Sequence, residues 1–310
     1  MTSKNFLLKF GLIMVLLVSI IVGINYSIDI YGLFRGKKER KVYINERTSK
    51  YLFSMRYIPE NYEGIIAGPS LSDNLNPDQL KGYKIYNASI MGINVTEMNY
   101  LLNNIIDKGH LKFAIICLGR YLTKDHGRKS AYIDPKEYWG ALGSTNLLKT
   151  YFLYGIRKYN LAPGRYSPNV YNTDGWNNFE LEMHNLNAKD SIIKRVEQKV
   201  IDTISIDPIA YEELDFILKK LRSHNIQVIG YYSPVPYGIY QVDITANRDF
   251  EKRINALFTS KDVLLNLNEE KYRPENSDYG MFIDHGHLSA KGQDYVLQKL
   301  DSVLNRIYKK

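Results

Sequence analysis

Five short apolar runs, separated by turns and by segments of helical period, constrain this chain more than any other feature. They lie at residues 64–67, 83–87, 113–118, 227–232 and 263–267, each of strand length. Residues 113–118, Phe-Ala-Ile-Ile-Cys-Leu, are apolar throughout, as a parallel strand covered on both faces should be. Between the runs the period changes. Over 95–107, Met98, Leu101, Leu102, Ile105 and Ile106 recur at helical spacing, with Thr96 or Asn94 as the cap and Gly109 as the stop. Asp207 followed by Pro208 opens a helix to about residue 223, with Ile209, Leu214, Ile217, Leu218 and Leu221 inward. Further helices are expected near 247–258 and from about 290 to 308. Such alternation predicts an α/β fold in three layers, α/β/α, with a central parallel sheet and right-handed crossovers. Functional groups should then collect at the carboxyl ends of the strands.

The rest of the 310 residues divides unevenly. Residues 1–9 are a short tail. Residues 10–28 carry no charge and, at a helical rise of about 1.5 Å, span roughly 28 Å, close to the hydrocarbon thickness of a bilayer. They predict an uncleaved transmembrane anchor. The competing reading is a signal peptide with Lys4 and Lys9 in its n-region, but the run is long for that and no Ala-x-Ala site follows. Residues 29–61 show no strand pattern and read as a stalk with a lead-in helix. Residues 62–310 are expected to form the α/β domain. An irregular insertion with some helix, rich in Tyr, Asn, Gly and charge, interrupts it at about 122–205.

The formal net charge of +8 favours anionic neighbours, either lipid headgroups or phosphate-bearing polymers. Basic residues are scattered except between Arg35 and Lys41, close after the apolar run, where a juxtamembrane role is simplest. No nucleic-acid module is recognisable, and no nucleic-acid partner is expected. Lys4 and Lys9 precede the run, while Arg35, Lys37, Lys38, Arg40 and Lys41 follow it. A positive-inside count alone would leave the domain in the cytoplasm. The 26 tyrosines suit a carbohydrate cleft or a membrane interface, and equally a plain compositional bias. Cys117 is the single cysteine and sits within an expected strand, so it reads as a core residue rather than a nucleophile. No disulfide or zinc spacing exists.

Three segments at expected strand ends carry chemistry: Gly68-Pro-Ser70-Leu-Ser72, Asn87-Ala-Ser-Ile-Met-Gly92, and Asp284-His-Gly-His287 before the last helix. Small residues around Ser70 allow a sharp turn that exposes its hydroxyl. A serine needs a base to act as a nucleophile at neutral pH, and the base needs an orienting acid. An Asp and a His three positions apart in one loop can supply both. Taken singly, a Gly-x-Ser turn is common and Asp-x-x-His could be a helix cap; their joint order points to a site. Asp73, Asn74 and Asn76 read as caps for the next helix. His110, His126, His184 and His224 show no partner pattern.

The three segments resemble the blocks of SGNH (GDSL) hydrolases, over about residues 62–307, and the chain looks like a membrane-anchored envelope acyltransferase or esterase of that superfamily. Gly-Pro-Ser-Leu-Ser is similar to the nucleophile block, with Pro69 where the family usually has Asp. Asn87–Gly92 is similar to the second block, which makes Gly92 an oxyanion donor beside the Ser70 N–H. Asp284-x-x-His287, followed by Gly292, is similar to the last block, and its spacing selects His287 rather than His285 as the base. The third block departs: where the family has an asparagine, this chain reads Leu118-Gly-Arg-Tyr-Leu122, so Arg120 or Tyr121 is the expected substitute donor. The resemblance implies an SGNH/flavodoxin-like fold and an acyl-enzyme on Ser70, with no metal or organic cofactor. It also implies an extracytoplasmic domain that transfers or removes O-acyl, chiefly O-acetyl, groups on a cell-surface polysaccharide or teichoic-acid-like polymer, with a membrane acyl-donor protein as partner. Two rivals stand beside it: a lipid esterase or thioesterase held at the bilayer, and an inactive scaffold of a polysaccharide assembly complex. Trp176, in the turn Asp174-Gly-Trp176, either stacks on a sugar ring or packs as part of a surface turn.

Overall fold

A computed structural model describes residues 3–126, 133–144, 146–163, 171–183, 187–200 and 204–308. Among them the five expected strands form one all-parallel sheet: β1 (Gly64–Ala67), β2 (Ile85–Asn87), β3 (Phe113–Cys117), β4 (Gln227–Tyr232) and β5 (Val263–Asn266), in the order β2-β1-β3-β4-β5. The order reverses once, between β1 and β3. A crevice is therefore expected outside the carboxyl ends of those two strands.

The strands read as unbroken apolar runs because both of their faces are covered. On one face Ile65, Ala114, Ile116 and Val228 pack with Leu101, Leu102 and Ile105 of α5 (Val95–Lys108) and with Leu214, Ile217 and Leu221 of α10 (Pro208–Ser223). On the other, Ile66, Ile115, Ile229 and Tyr231 meet Val296, Leu300 and Val303 of α14 (Ala290–Tyr308). Each such fully buried aliphatic side chain contributes about 1.5–3 kcal/mol. The caps follow the sequence. Asn94 and Glu97 form a reciprocal capping box on α5, which Gly109 ends. Asp207 accepts from the N–H groups of Ile209 and Ala210 ahead of Pro208 at the start of α10. Helix α4 (Ser70–Asp73) lies between β1 and β2, α11 (Tyr237–Val242) and α12 (Ile244–Asn255) lie between β4 and β5, and α13 (Arg273–Asn276) lies between β5 and α14.

Residues 29–61 are not a stalk. They carry α2 (Glu46–Ser54) and α3 (Tyr57–Asn61), and Leu52, Phe53, Tyr57 and Ile58 lie in the core against the sheet. Arg40 is buried with Asp29, Nη2 to Oδ2 3.0 Å, which ties this segment to the end of the N-terminal helix. The reason is ordinary burial: an apolar cluster close to the sheet edge packs rather than staying extended. The insertion is more helical than its composition suggests, with α6 (Glu137–Gly143), α7 (Asn146–Lys158), α8 (Phe179–Glu182) and α9 (Ala188–Glu197) among the described residues.

The N-terminal α1 (Ser3–Ile28) extends over the expected apolar run, with a mean hydropathy of 2.7 in its most apolar 18-residue window. By length and composition it suits a single membrane span or a signal anchor. Asn25 is its one buried residue.

Candidate active site

Ser70 is placed by the end of β1. The chain leaves Ala67 through Gly68, where an added Cβ would stand 2.6 Å from Cys117 Cβ and 2.8 Å from Ser72 Oγ. Only glycine lets β1 and β3 approach this closely at the turn. Pro69 then leads into α4, whose first residue is Ser70.

Ser70 Oγ lies 3.0 Å from His287 Nε2, and His287 Nδ1 lies 2.8 Å from Asp284 Oδ2. The second carboxylate oxygen of Asp284 accepts from the backbone N–H groups of Gly286 (2.8 Å) and His287 (2.7 Å). Burial alone would raise the Asp284 carboxyl. The bonds from the His287 ring and backbone outweigh it and hold that carboxyl down at about 2. An ionised Asp284 binds the proton on Nδ1, which leaves Nε2 as the acceptor for the Ser70 hydroxyl. Phe179 of α8 packs edge-on against the imidazole, ring centroids 5.4 Å apart, and limits its rotation.

His285 points elsewhere: its Nδ1 is 3.2 Å from Ser191 Oγ, although it also borders the cleft. Gly92 has φ +63° and lines the same cleft as Ser70. Arg120 and Tyr121, the two candidate donors from the sequence, line it too. Trp176 does not reach the cleft. Its indole N–H donates to Asn74 O at 2.9 Å and its backbone N–H to Asp174 Oδ1, so it is packed in a turn.

The cleft encloses about 320 Å³, within the range of small-ligand sites. Leu118, Tyr232, Val235, Ile239, Tyr240 and Phe250 supply its apolar walls. Glu251 stands at one side, accepting from Tyr240 Oη (3.0 Å) and Asn266 Nδ2 (2.7 Å), and burial raises its carboxyl above the usual range. Cys117 lies in the core, and burial pushes its thiol up to about 11; it stays protonated at neutral pH. Among the described residues no group of three or more His, Cys, Asp or Glu is arranged to hold a metal ion.

A buried polar scaffold that sequence reasoning missed underlies the site. Lys50 of α2 is fully buried; its Nζ donates to Asp73 Oδ1 (2.7 Å) and Ser89 O (2.5 Å) and lies 3.0 Å from Glu46 Oε1. Asn177 donates to the other Asp73 oxygen at 2.9 Å. Burial would lower the Lys50 ammonium, but the two carboxylates hold it above its usual range. Burial and Glu46 push Asp73 up. Asp73 is therefore an ion-pair partner rather than a cap. Asn74 likewise turns inward, to Leu288 O at 2.7 Å, while Asn76 caps a short 3₁₀ turn as expected. Asn87 gathers the segment that follows Ser70, its amide donating to the carbonyls of Ser72, Asp73 and Leu75. Arg47 ties the loop before α5 to that helix, with Nη1 on both Glu97 oxygens at 2.6 Å and Nη2 on Met91 O at 2.7 Å. The signal for these residues was slight: Glu46, Arg47 and Lys50 in a short amphipathic helix look like surface charge, and Asp73 looks like a cap. Of the remaining histidines, His126 sits 3.5 Å from Glu213 Oε2, and His184 lies outside the described residues.

No protein-family model matches the chain, and no curated protein sequence matches it. Several solved structures are similar in backbone, among them these two. One, from Streptococcus pneumonia and provisionally named a platelet activating factor, has a TM-score of 0.46 at 11% identity, covering 84% of this chain and 91% of its own. The other, a GDSL-like lipase from Bacteroides thetaiotaomicron VPI-5482, has a TM-score of 0.40 at 10% identity, covering 81% and 91%. A backbone likeness of this degree assigns no activity to the chain.

Proposed function

We propose that this chain is a serine esterase or O-acyltransferase that works through an acyl-enzyme on Ser70. The observation that carries the reading is the hydrogen-bonded series Ser70–His287–Asp284 opening into an apolar cleft. His287 Nε2 takes the hydroxyl proton as Ser70 Oγ adds to an ester carbonyl. The developing oxyanion is met by the N–H groups of Ser70 and Gly92, with Arg120 or Tyr121 in place of the absent asparagine. On collapse, the leaving alcohol takes the proton from His287 and the acyl group stays on Ser70. Water, or an acceptor hydroxyl, then gives its proton to Nε2 as it adds to the acyl carbonyl, and Ser70 Oγ leaves with that proton, which restores the free serine and neutral His287.

The substrate in this reading is an O-acylated, chiefly O-acetylated, polymer of the cell surface, and a membrane protein supplies the acyl group in the transfer direction. The net positive charge and Arg120 at the cleft suit an anionic polymer. In this reading α1 lies in the bilayer and the domain on the extracytoplasmic side, the side that a cell-surface polymer requires. A second reading, an esterase for longer acyl chains at the membrane, is favoured by the apolar walls of a cavity much larger than an acetyl group.

The test is turnover of p-nitrophenyl acetate by the full chain in detergent micelles, beside Ser70→Ala and His287→Ala. Either substitution is expected to lower kcat by at least about 10³-fold. Equal background in all three proteins would refute the enzyme and leave an inactive scaffold. Mass spectrometry of Ser70 after a rapid quench should find the acyl adduct.

A further inference from the structure

Outside α1, four large apolar side chains among the described residues are more than three-fifths exposed: Trp139 (73%), Phe152 (67%), Tyr159 (66%) and Leu161 (68%). All four lie on α6, on α7 or just past α7. Leu148, Phe152 and Tyr159 are spaced by four and seven, so they continue one face of α7. The other face is packed: Leu147 is buried, the Tyr154 ring meets Tyr43 at 4.9 Å, and Arg157 donates to Tyr43 O at 2.5 Å. Lys149 and Lys158 flank the apolar face, with Lys158 Nζ 5.4 Å from the Tyr159 ring. A soluble surface seldom leaves so many large apolar groups together.

The position of this face relative to α1 says what covers it. Asn25 donates to Leu142 O, at the end of α6, at 3.1 Å, and Tyr151 Oη of α7 donates to Asn25 Oδ1. Asn25 lies inside the apolar run, three residues from the end of α1, about 4.5 Å along its axis. The corner between α6 and α7 is therefore held at the depth where α1 would leave the hydrocarbon. Aromatic side chains and lysine stems are the groups that favour that depth.

We propose that the exposed face of α6 and α7 is a second membrane contact, seated in the headgroup region of the leaflet that α1 leaves. Trp139, Leu148, Phe152 and Tyr159 enter the boundary with the acyl chains, and Lys149 and Lys158 reach lipid phosphates. Two attachments, joined through Asn25, stop the domain from swinging on a single helix and hold it in one orientation to the bilayer. The inference rests on reading α1 as bilayer-inserted.

The experiment uses the full chain reconstituted in phosphatidylcholine–phosphatidylglycerol vesicles, with or without lipids brominated near the headgroup end of their acyl chains. The chain has two tryptophans, Trp139 and Trp176, and Trp176 is bonded in its turn. Brominated lipid should quench the parent, and the quenchable part should vanish in Trp139→Phe. Trp139 is exposed, so its replacement leaves the core intact. Flotation with the vesicles after alkaline carbonate reports α1 separately. A chain that floats but shows no Trp139-dependent quenching overturns this inference alone. A chain that does not float overturns the reading of α1 and this inference with it.

Discussion

His287 Nε2 lies 3.0 Å from Ser70 Oγ although 217 positions of chain separate the two residues. The pair is useful only in one tautomer, and Asp284 selects it. Asp284→Asn would replace an acceptor at Nδ1 with an amide able to donate, so the ring proton moves to Nε2 and no lone pair faces Ser70. By analogy with the same change in serine proteases, kcat should fall about 10⁴-fold with little change in KM. Steady-state ester hydrolysis checks this, and a loss below tenfold would detach Asp284 from the reaction.

The same carboxylate makes a pH-dependent contribution to stability. Its folded value, about 2, is below the unfolded one, near 3.9 for a free Asp. The unfolded chain therefore binds the proton more readily. The stabilisation is complete above about pH 4 and disappears as pH falls through about 2. Urea midpoints of the parent and Asp284→Asn should differ near neutrality and converge towards pH 2. A gap that widens in acid contradicts the assigned bonds.

Among the described residues Lys50 is the one cation bonded to buried Asp73, with Glu46 close by. Lys50→Met removes the cation and leaves two carboxylates together, at a cost of about 3–5 kcal/mol. In that variant folding would draw a proton onto the buried acids, so its stability should rise as pH falls, the reverse of the Asp284 effect. Chemical denaturation at two pH values decides. Partial recovery in Lys50→Met with Asp73→Asn would locate the cost in the unpaired charge.

The strands and the three site loops were legible because each leaves a local mark. Parallel strands covered on both faces read as unmixed apolar runs, as at 113–118, and a tight turn such as Gly68-Pro-Ser70 needs small residues. The scaffold was illegible because it depends on contacts between distant segments. Lys50 looks like a surface charge and Asp73 like a cap until α2 folds over residues 87–92 and joins them. The stretch 29–61 shows its apolar cluster, but nothing local tells that Leu52 and Phe53 face the sheet. Trp176 illustrates the same limit, since a turn aromatic reads alike whether it meets a sugar or Asn74 O.

Gly68 separates turn geometry from composition. A Cβ there would meet Cys117 Cβ at 2.6 Å, Ser72 Oγ at 2.8 Å and Cys117 O at 3.1 Å. One of these contacts is backbone and another is a β carbon held by its strand, so the turn itself must move. Gly68→Ala should cost about 1–3 kcal/mol and also lower kcat, because α4 carries Ser70. Thermal unfolding and hydrolysis measured together should fall in parallel; unchanged values for both would show that the turn has room.

Val235 decides between the acetyl and longer-chain readings. It lines the cleft and is only half-buried, so a larger side chain there can fill the cavity without forcing the core apart. Val235→Trp should leave p-nitrophenyl acetate hydrolysis within a few-fold of the parent. An added methylene in an apolar pocket is worth about 1–3 kcal/mol, so the octanoate ester, whose chain needs that volume, should lose at least about tenfold in kcat/KM. If the parent itself hydrolyses acetate and octanoate esters equally, and Val235→Trp changes neither, the apolar walls do not hold the acyl group. The chain would then point out of the cleft and the volume beside Ser70 would belong to the alcohol portion, which is where a sugar acceptor would have to sit.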